Sequence, residues 1–287
     1  MKLKTFLQFT GPSNIVMIVL MIIPLGVAFV IGQYYLTWNT FSSPEYVGLS
    51  NYLEVLKDPF FWDALFWNMI IVVVAVPAHI FLAFVTALLL DQVFGKIRGF
   101  YLAMLLLPMI VVPVIGTVVF RQLFDPSGLI AWFMRVIVGQ RFIFTEGSMK
   151  FLILAHTTWI SAPFAMVIFF AGLQMLPKHL VDAAAIDGAN RLQQIRHIVI
   201  PHLRSLFLLN AILAVMDFLR LWDNVFVLTR MNPIFHADTM QTYLYRIAIT
   251  VKRLGKANAG SILTVVFIMI VLIPFLYYMY RQQTEEG

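Results

Sequence analysis

The sequence of 287 residues contains no cysteine, which excludes a disulfide framework, a thiolate zinc site, an iron–sulfur cluster and a cysteine nucleophile. Charge is scarce as well. Only 12% of the residues are Asp, Glu, Lys or Arg and 61% are hydrophobic, whereas soluble domains carry about a quarter charged and about half apolar residues. With a mean hydropathy of +0.88, the chain has too little polar surface to coat a water-soluble fold, so it reads as an integral membrane protein. Signatures of nucleotide and metal chemistry are missing too. There is no G-x-x-x-x-G-K-[ST], G-x-G-x-x-G or H-E-x-x-H pattern, so the chain carries no element for ATP hydrolysis, dinucleotide binding or zincin chemistry. His197 and His202 lie across Pro201 with no third ligand at a metal-like spacing, which argues against zinc. The net charge of +6 is scattered through loops, where it suits lipid headgroups better than nucleic acid.

What is abundant is long apolar runs. Six nearly charge-free stretches are each long enough to cross a bilayer as a helix: 15–35, 64–90, 99–120, 151–175, 205–229 and 259–280. The sequence therefore predicts an all-α membrane protein with six transmembrane helices. Residues 1–12 lack a short apolar core with a small-residue cleavage site, so the first span is expected to stay. Pro77, Pro108, Pro113 and Pro274 fall inside spans and predict kinks around a cavity. The short apolar segment 128–138 is expected along the interface. Counting all Lys and Arg separates the two sides poorly. The early segments set Lys2, Lys4, Lys96 and Arg98 against Lys57 alone, which places both termini in the cytoplasm. The organisation expected is an N-terminal part, 1–63, with the first helix and an external loop, then a five-helix core, 64–281, and a cytoplasmic tail, 282–287.

On that topology residues 177–204, PKHLVDAAAIDGANRLQQIRHIVIPHLR, form a cytoplasmic loop. Lys178 to Asp187 reads as a short helix, Gly188 supplies a positive-φ exit, and Asn190 can cap a second helix. Leu192, Ile195 and Val199 then share one face, opposite Arg191, Gln194 and Arg196, and Pro201 can start the next helix. Asp182, Ala183, Ala184, Asp187, Gly188, Ala189, Ile198 and Pro201 match the E-A-A, D-G-A and I-x-L-P pattern of permease subunits of binding-protein-dependent ABC importers. The chain resembles that family, and its carbohydrate-uptake branch of maltose-type and glycerol-3-phosphate-type permeases in particular. The stretches VGLSNYLEVLKDPFFWDALFWN, RGFYLAMLLLP and FRQLFDPSGLI extend the resemblance over nearly the whole chain. Two departures stand out: Asp182 replaces the family's usual glutamate, and Arg230, Met231, Asn232 and Pro233 replace a Gly-Gly-Pro loop.

The resemblance implies the type I ABC importer permease fold. It also implies a coupling helix, with Asp182, Ala183, Ala184, Asp187, Gly188, Ala189 and Arg191, docking into an ATPase subunit. The implied partners are a second, homologous permease in a heterodimer, two ATPase subunits that hold ATP and magnesium, and an external solute-binding protein. The chain itself would need no cofactor and would sit in the cytoplasmic membrane of a prokaryote.

The fifth span carries Asp217, Arg220 and Asp223, three residues apart, which would share one face of a continuous helix. At about 2.5 to 3.5 kcal/mol each near mid-span, they must face protein or a watery cavity. With Phe218, Trp222 and Asn224 they are candidates for the wall of a solute path; a salt-bridged packing element is the other reading. Asn68, His79 and His156 are expected to make interhelical hydrogen bonds. Two other classes compete. A secondary transporter would use the charged trio as an ion relay, and a lipid-modifying enzyme would need a constellation of His and carboxylate groups that the sequence does not show.

Overall fold

The computed structural model describes residues 3–139 and 142–285; Lys2 and the end of the tail lie outside the described residues. In chain order the helices are α1 (Leu3–Gly32), α2 (Ser50–Leu56), α3 (Pro59–Asp91), α4 (Lys96–Ile110), α5 (Pro113–Phe124), α6 (Leu129–Phe133), α7 (Glu146–Gln174), α8 (Lys178–Ile186), α9 (Arg191–Gln194), α10 (Ile200–His202), α11 (Arg204–Leu219), α12 (Asp223–Thr229), α13 (Met240–Tyr245) and α14 (Leu254–Glu285). The strands β1 (Tyr34–Tyr35) and β2 (Glu45–Tyr46) pair antiparallel between α1 and α2. Among the described residues the fold is therefore helical, apart from this ribbon and a bridge between Thr37 and Arg253. Among the described residues four helices are long and apolar enough to cross a membrane, and two bent pairs raise the number to as many as six.

The first bent pair corrects the expectation of a continuous third span, whereas the second bends by 69° between His202 and Arg204, ahead of the expected fifth span. The third span stops at Ile110, passes through extended Val111 and Val112, and restarts with Pro113 in the first turn, where a missing N–H costs nothing. The two limbs meet at 94°, a break where the prolines alone predicted a kink. The segment after α5 is short α6 followed by a π-helical turn over Met134–Val138.

Two compact units emerge. One comprises residues 1–63 and 240–274. Here Asn51 closes the end of α1, its amide donating to the carbonyls of Gly32 and Tyr34, both at 2.9 Å. A Cβ on Gly255 would lie 2.0 Å from the Tyr34 carbonyl oxygen, so only glycine allows that approach. Phe61 packs edge-on against Tyr243.

The other unit comprises 64–239 and 275–287. Its core sets Ala83, Phe84 and Ala87 of α3 against Ala162, Ala165, Met166 and Phe169 of α7, with Val199 and Leu203 closing one end. Small residues let the helices approach closely, the main source of association where lipid is as apolar as the core. Gly172 serves the same end, since a Cβ there would come within 2.4 Å of Leu206. The start of α7 is fixed locally: Thr145 and Ser148 form a reciprocal capping box.

Candidate functional site

Two short helices of the segment 177–204 form where the sequence predicts them, with a turn at Gly188. Helix α8 ends in a Schellman motif: the Ala189 N–H donates to the Ala184 carbonyl (2.9 Å) and the Gly188 N–H to the Ala185 carbonyl (3.1 Å), with Gly188 at φ 82°. Asn190 then caps α9 through a second reciprocal box with Gln193. Two short helices thus meet at a turn whose geometry is fixed by side chains within the motif. Asp182, Ala183, Asp187, Gly188 and Arg191 are exposed, and Ala184 and Ala189 half-buried. Ile186 and Leu192 project into solvent at 86% and 74% exposure, which makes the loop a surface with apolar knobs and acidic ends. The expected split into an apolar face of Leu192, Ile195 and Val199 and a polar face with Gln194 is thereby corrected: Leu192 is exposed, whereas Gln194 is buried with Val199. Val199 and Leu203 instead anchor the end of the loop in the core with Phe169 and Leu173.

The charged segment of the fifth span is discontinuous. Helix α11 ends at Leu219, Arg220 leaves the helical region at φ −109°, and α12 starts at Asp223. The expectation that three charges share one face of a continuous helix is therefore overturned. Asp217 and Arg220 still pair, with the guanidinium donating to the carboxylate at 2.8 Å, and both side chains remain about two-thirds exposed, at 65% and 66%. Asp223 is also exposed and opens α12, where its charge suits the helix N-terminus. Trp222 is half-buried with its ring stacked on Phe226 at 4.7 Å.

Phe218 and Asn224 are buried and do not stand on the exposed surface with these charges. Phe218 packs against the ring of His79 at 5.9 Å, and its carbonyl accepts from the Asn68 amide at 2.8 Å. Asn224 accepts from the hydroxyl of Thr117 at 3.2 Å. Asn68 makes the expected interhelical bond. His156 does not: neither ring nitrogen has a hydrogen-bond partner among the described residues, and the ring lies edge-on to Phe120 at 4.8 Å. The Nδ1 of His79 is likewise without a partner among them.

Arg121 is a functional candidate that sequence reasoning placed outside the spans. Its Nε donates to the Leu228 carbonyl at 2.8 Å, capping the C-terminal turn of α12 with a cation, and its guanidinium lies 5.3 Å over Phe144. Thr117 and Arg121, four residues apart, are both buried toward α12. That spacing was the available signal.

The loop after α12 departs from the family pattern in residue type yet keeps a glycine-like backbone. Arg230 and Met231 adopt φ 51° and 58°, with the Met231 N–H donating to the Thr229 hydroxyl at 3.2 Å.

Comparison with known proteins extends this geometry. No family model matches the chain. A probable ABC transporter permease of Sinorhizobium fredii is 29% identical over 98% of this chain and 91% of that protein. The trehalose/maltose transport system permease MalF of Thermococcus litoralis is 30% identical over 79% of this chain and 76% of its own length. The sn-glycerol-3-phosphate permease UgpA of Pectobacterium atrosepticum is 26% identical over 79% of this chain and 78% of that protein. In fold, the chain superposes on the crystal structure of a bacterial ABC transporter involved in the import of alginate, with a TM-score of 0.81, 17% identity, and 98% and 99% of the two chains covered. A multi-pass helical chain with this loop and these relatives belongs to the permease subunits of ABC transporters, in the group of carbohydrate-type permeases.

Proposed function

We propose that this permease translocates a sugar or a related polyhydroxylated solute across the cytoplasmic membrane, driven by separate ATPase subunits. Relatives named for trehalose and maltose, arabinooligosaccharides and glycerol 3-phosphate support the solute class. The observation that carries the reading is the exposed Asp217–Arg220 pair beside a helix break. An exposed ion pair at i,i+3 contributes at most about 1 kcal/mol to stability, so stability alone gives little reason to keep two charges in an apolar span. Carboxylate and guanidinium groups are strong partners for hydroxyls, which favours a role facing the solute, with Asp223 alongside.

In this reading α8 docks into an ATPase subunit. Its acidic residues Asp182 and Asp187, the small Ala183 and Ala184, and the exposed Ile186 provide a compact surface, Arg191 flanks it, and Gly188 with Ala189 fixes its angle. ATP and magnesium act on the ATPase subunits and this chain holds no cofactor. A second permease completes a heterodimer, a soluble binding protein delivers the solute from outside, and both termini face the cytoplasm. One neighbour in fold is an alginate importer in complex with a periplasmic protein bound to an alginate pentasaccharide, which supports the binding-protein partner.

The test is uptake into proteoliposomes holding the whole complex, against a panel of mono- and oligosaccharides, polyols and glycerol 3-phosphate. Uptake that needs hydrolysable ATP on the side of the ATPase subunits supports the proposal. Uptake by this polypeptide alone on a pH gradient would replace it with an ion-coupled carrier.

A further inference from the structure

Residues 216–224, MDFLRLWDN, contain neither proline nor glycine, yet the helix stops within them. In a continuous helix the Phe218 carbonyl would accept from the N–H of Trp222, and the Leu221 carbonyl from that of Val225. The break displaces both. Each carbonyl instead meets a side-chain donor from elsewhere in the chain: the Asn68 amide of α3 bonds the Phe218 oxygen at 2.8 Å, and the hydroxyl of Thr239, in the loop before α13, bonds the Leu221 oxygen at 2.7 Å. Both donors are fully buried. Within a membrane, irregular backbone survives only where its polar groups are satisfied by protein or water, so these two side chains replace the bonds that a regular helix would make.

We infer that Asn68 and Thr239 are positioning residues of the translocation path, holding the break between α11 and α12 so that Asp217 and Arg220 stand at its edge. The inference rests on the path reading of those two charges. Asn68 grips the carbonyl next to Asp217, and Thr239 the carbonyl next to Arg220. The pair thus fixes the backbone on the inner side of both charged residues without taking a place on their exposed side. The His79 ring packs against the same Phe218 and limits its movement.

The test is hydrogen exchange on the full-length chain in lipid nanodiscs, followed for peptides covering 216–226 and for peptides of α7. Thr239→Val removes the hydroxyl at nearly constant volume, and Thr239→Ser restores it. Exchange over 216–226 should run about tenfold faster in Thr239→Val, the effect of one buried hydrogen bond, with α7 unchanged and Thr239→Ser close to wild type. Asn68→Leu should loosen the same peptides independently, so a folding failure of one variant leaves the other informative. In the assembled transporter, the KM for whichever sugar the uptake panel returns should rise about tenfold in Thr239→Val, with kcat held within about twofold. Unchanged exchange over 216–226, an equal rise in α7, or no rescue by serine would each overturn the inference. Faster exchange over 216–226 together with normal uptake in Asp217→Asn and Arg220→Gln would keep the clamps and overturn the path reading instead.

Discussion

Replacing Lys256 by methionine tests an ion-pair cluster at the start of α14. Lys256 Nζ lies 2.9 Å from Asp58 and 3.2 Å from Glu54. Asp58 also accepts from the Tyr243 hydroxyl at 2.9 Å and the Phe60 N–H at 3.1 Å, and Arg253 grips both oxygens of Glu54 at 3.0 and 2.9 Å. Exposure decides which pair matters. The Lys256 and Asp58 side chains are 12% and 15% exposed and Glu54 is 42% exposed, so Glu54 is screened by solvent and its pairs add less than about 1 kcal/mol. Losing the lysine leaves the Asp58 carboxylate largely buried with two donors, a cost of about 2 kcal/mol and an apparent Tm lower by roughly 5 °C. Burial raises the Asp58 carboxyl, but the Lys256 and Tyr243 hydrogen bonds outweigh it and hold the group below the ordinary carboxylate range. A depressed folded value means that the stabilisation is complete above the unfolded pKa of about 4 and disappears as pH falls through the folded value. Thermal melts in detergent between neutral and acid pH should therefore show a wild-type loss that Lys256→Met reduces. An unchanged Tm at neutral pH, or parallel acid profiles, would refute the reasoning. Asp58→Asn in the Lys256→Met background should recover much of the loss, because no charge is then buried unpaired.

Three further outcomes follow from the loops. Single cysteines at Ala185 and Gln193, both exposed, should react with impermeant maleimides only from the cytoplasmic side of membrane vesicles; labelling from outside would invert the topology. At Gly188 a Cβ would meet nothing within 4 Å, so Gly188→Val should cost only backbone strain, of order 1 kcal/mol; its Tm should stay near wild type while ATP-driven uptake falls, and normal uptake would make the turn dispensable. Arg230→Gly and Met231→Gly should each raise stability by about 1 kcal/mol in denaturant titrations, because they relieve a left-handed backbone at non-glycine residues.

The turn between α8 and α9 was legible because its determinants are local. Gly188 at a helix exit, Asn190 three residues before Gln193, and alanines inside the preceding helix specify a Schellman turn and a capping box with no help from the rest of the chain. The apolar runs were legible for the same kind of reason, since hydropathy follows directly from composition. The 94° bend was only half legible: Pro108 and Pro113 mark a disturbance, but whether the chain kinks or breaks depends on extended Val111 and Val112, residues with no special signal.

The break in the fifth span was not legible at all, and the reason lies in where its bonds go. Met216 to Asn224 has neither glycine nor proline and carries an i,i+3 charge pattern, so nothing local forces the helix to stop. What stops it comes from Asn68, 150 residues earlier in the chain, and Thr239, 18 residues later. Neither partner could be assigned to a particular carbonyl from the sequence. A buried donor that replaces a helical N–H leaves the hydrogen-bond count nearly even, so the irregular backbone persists at modest cost. The consequence bears on function. A continuous helix would point its charges along one fixed face, whereas a break held from two sides places Asp217 and Arg220 at the end of α11, before α12 begins. The same reasoning makes Arg121 its counterpart at the far end of α12, where a cation on the Leu228 carbonyl ties that short helix to α5.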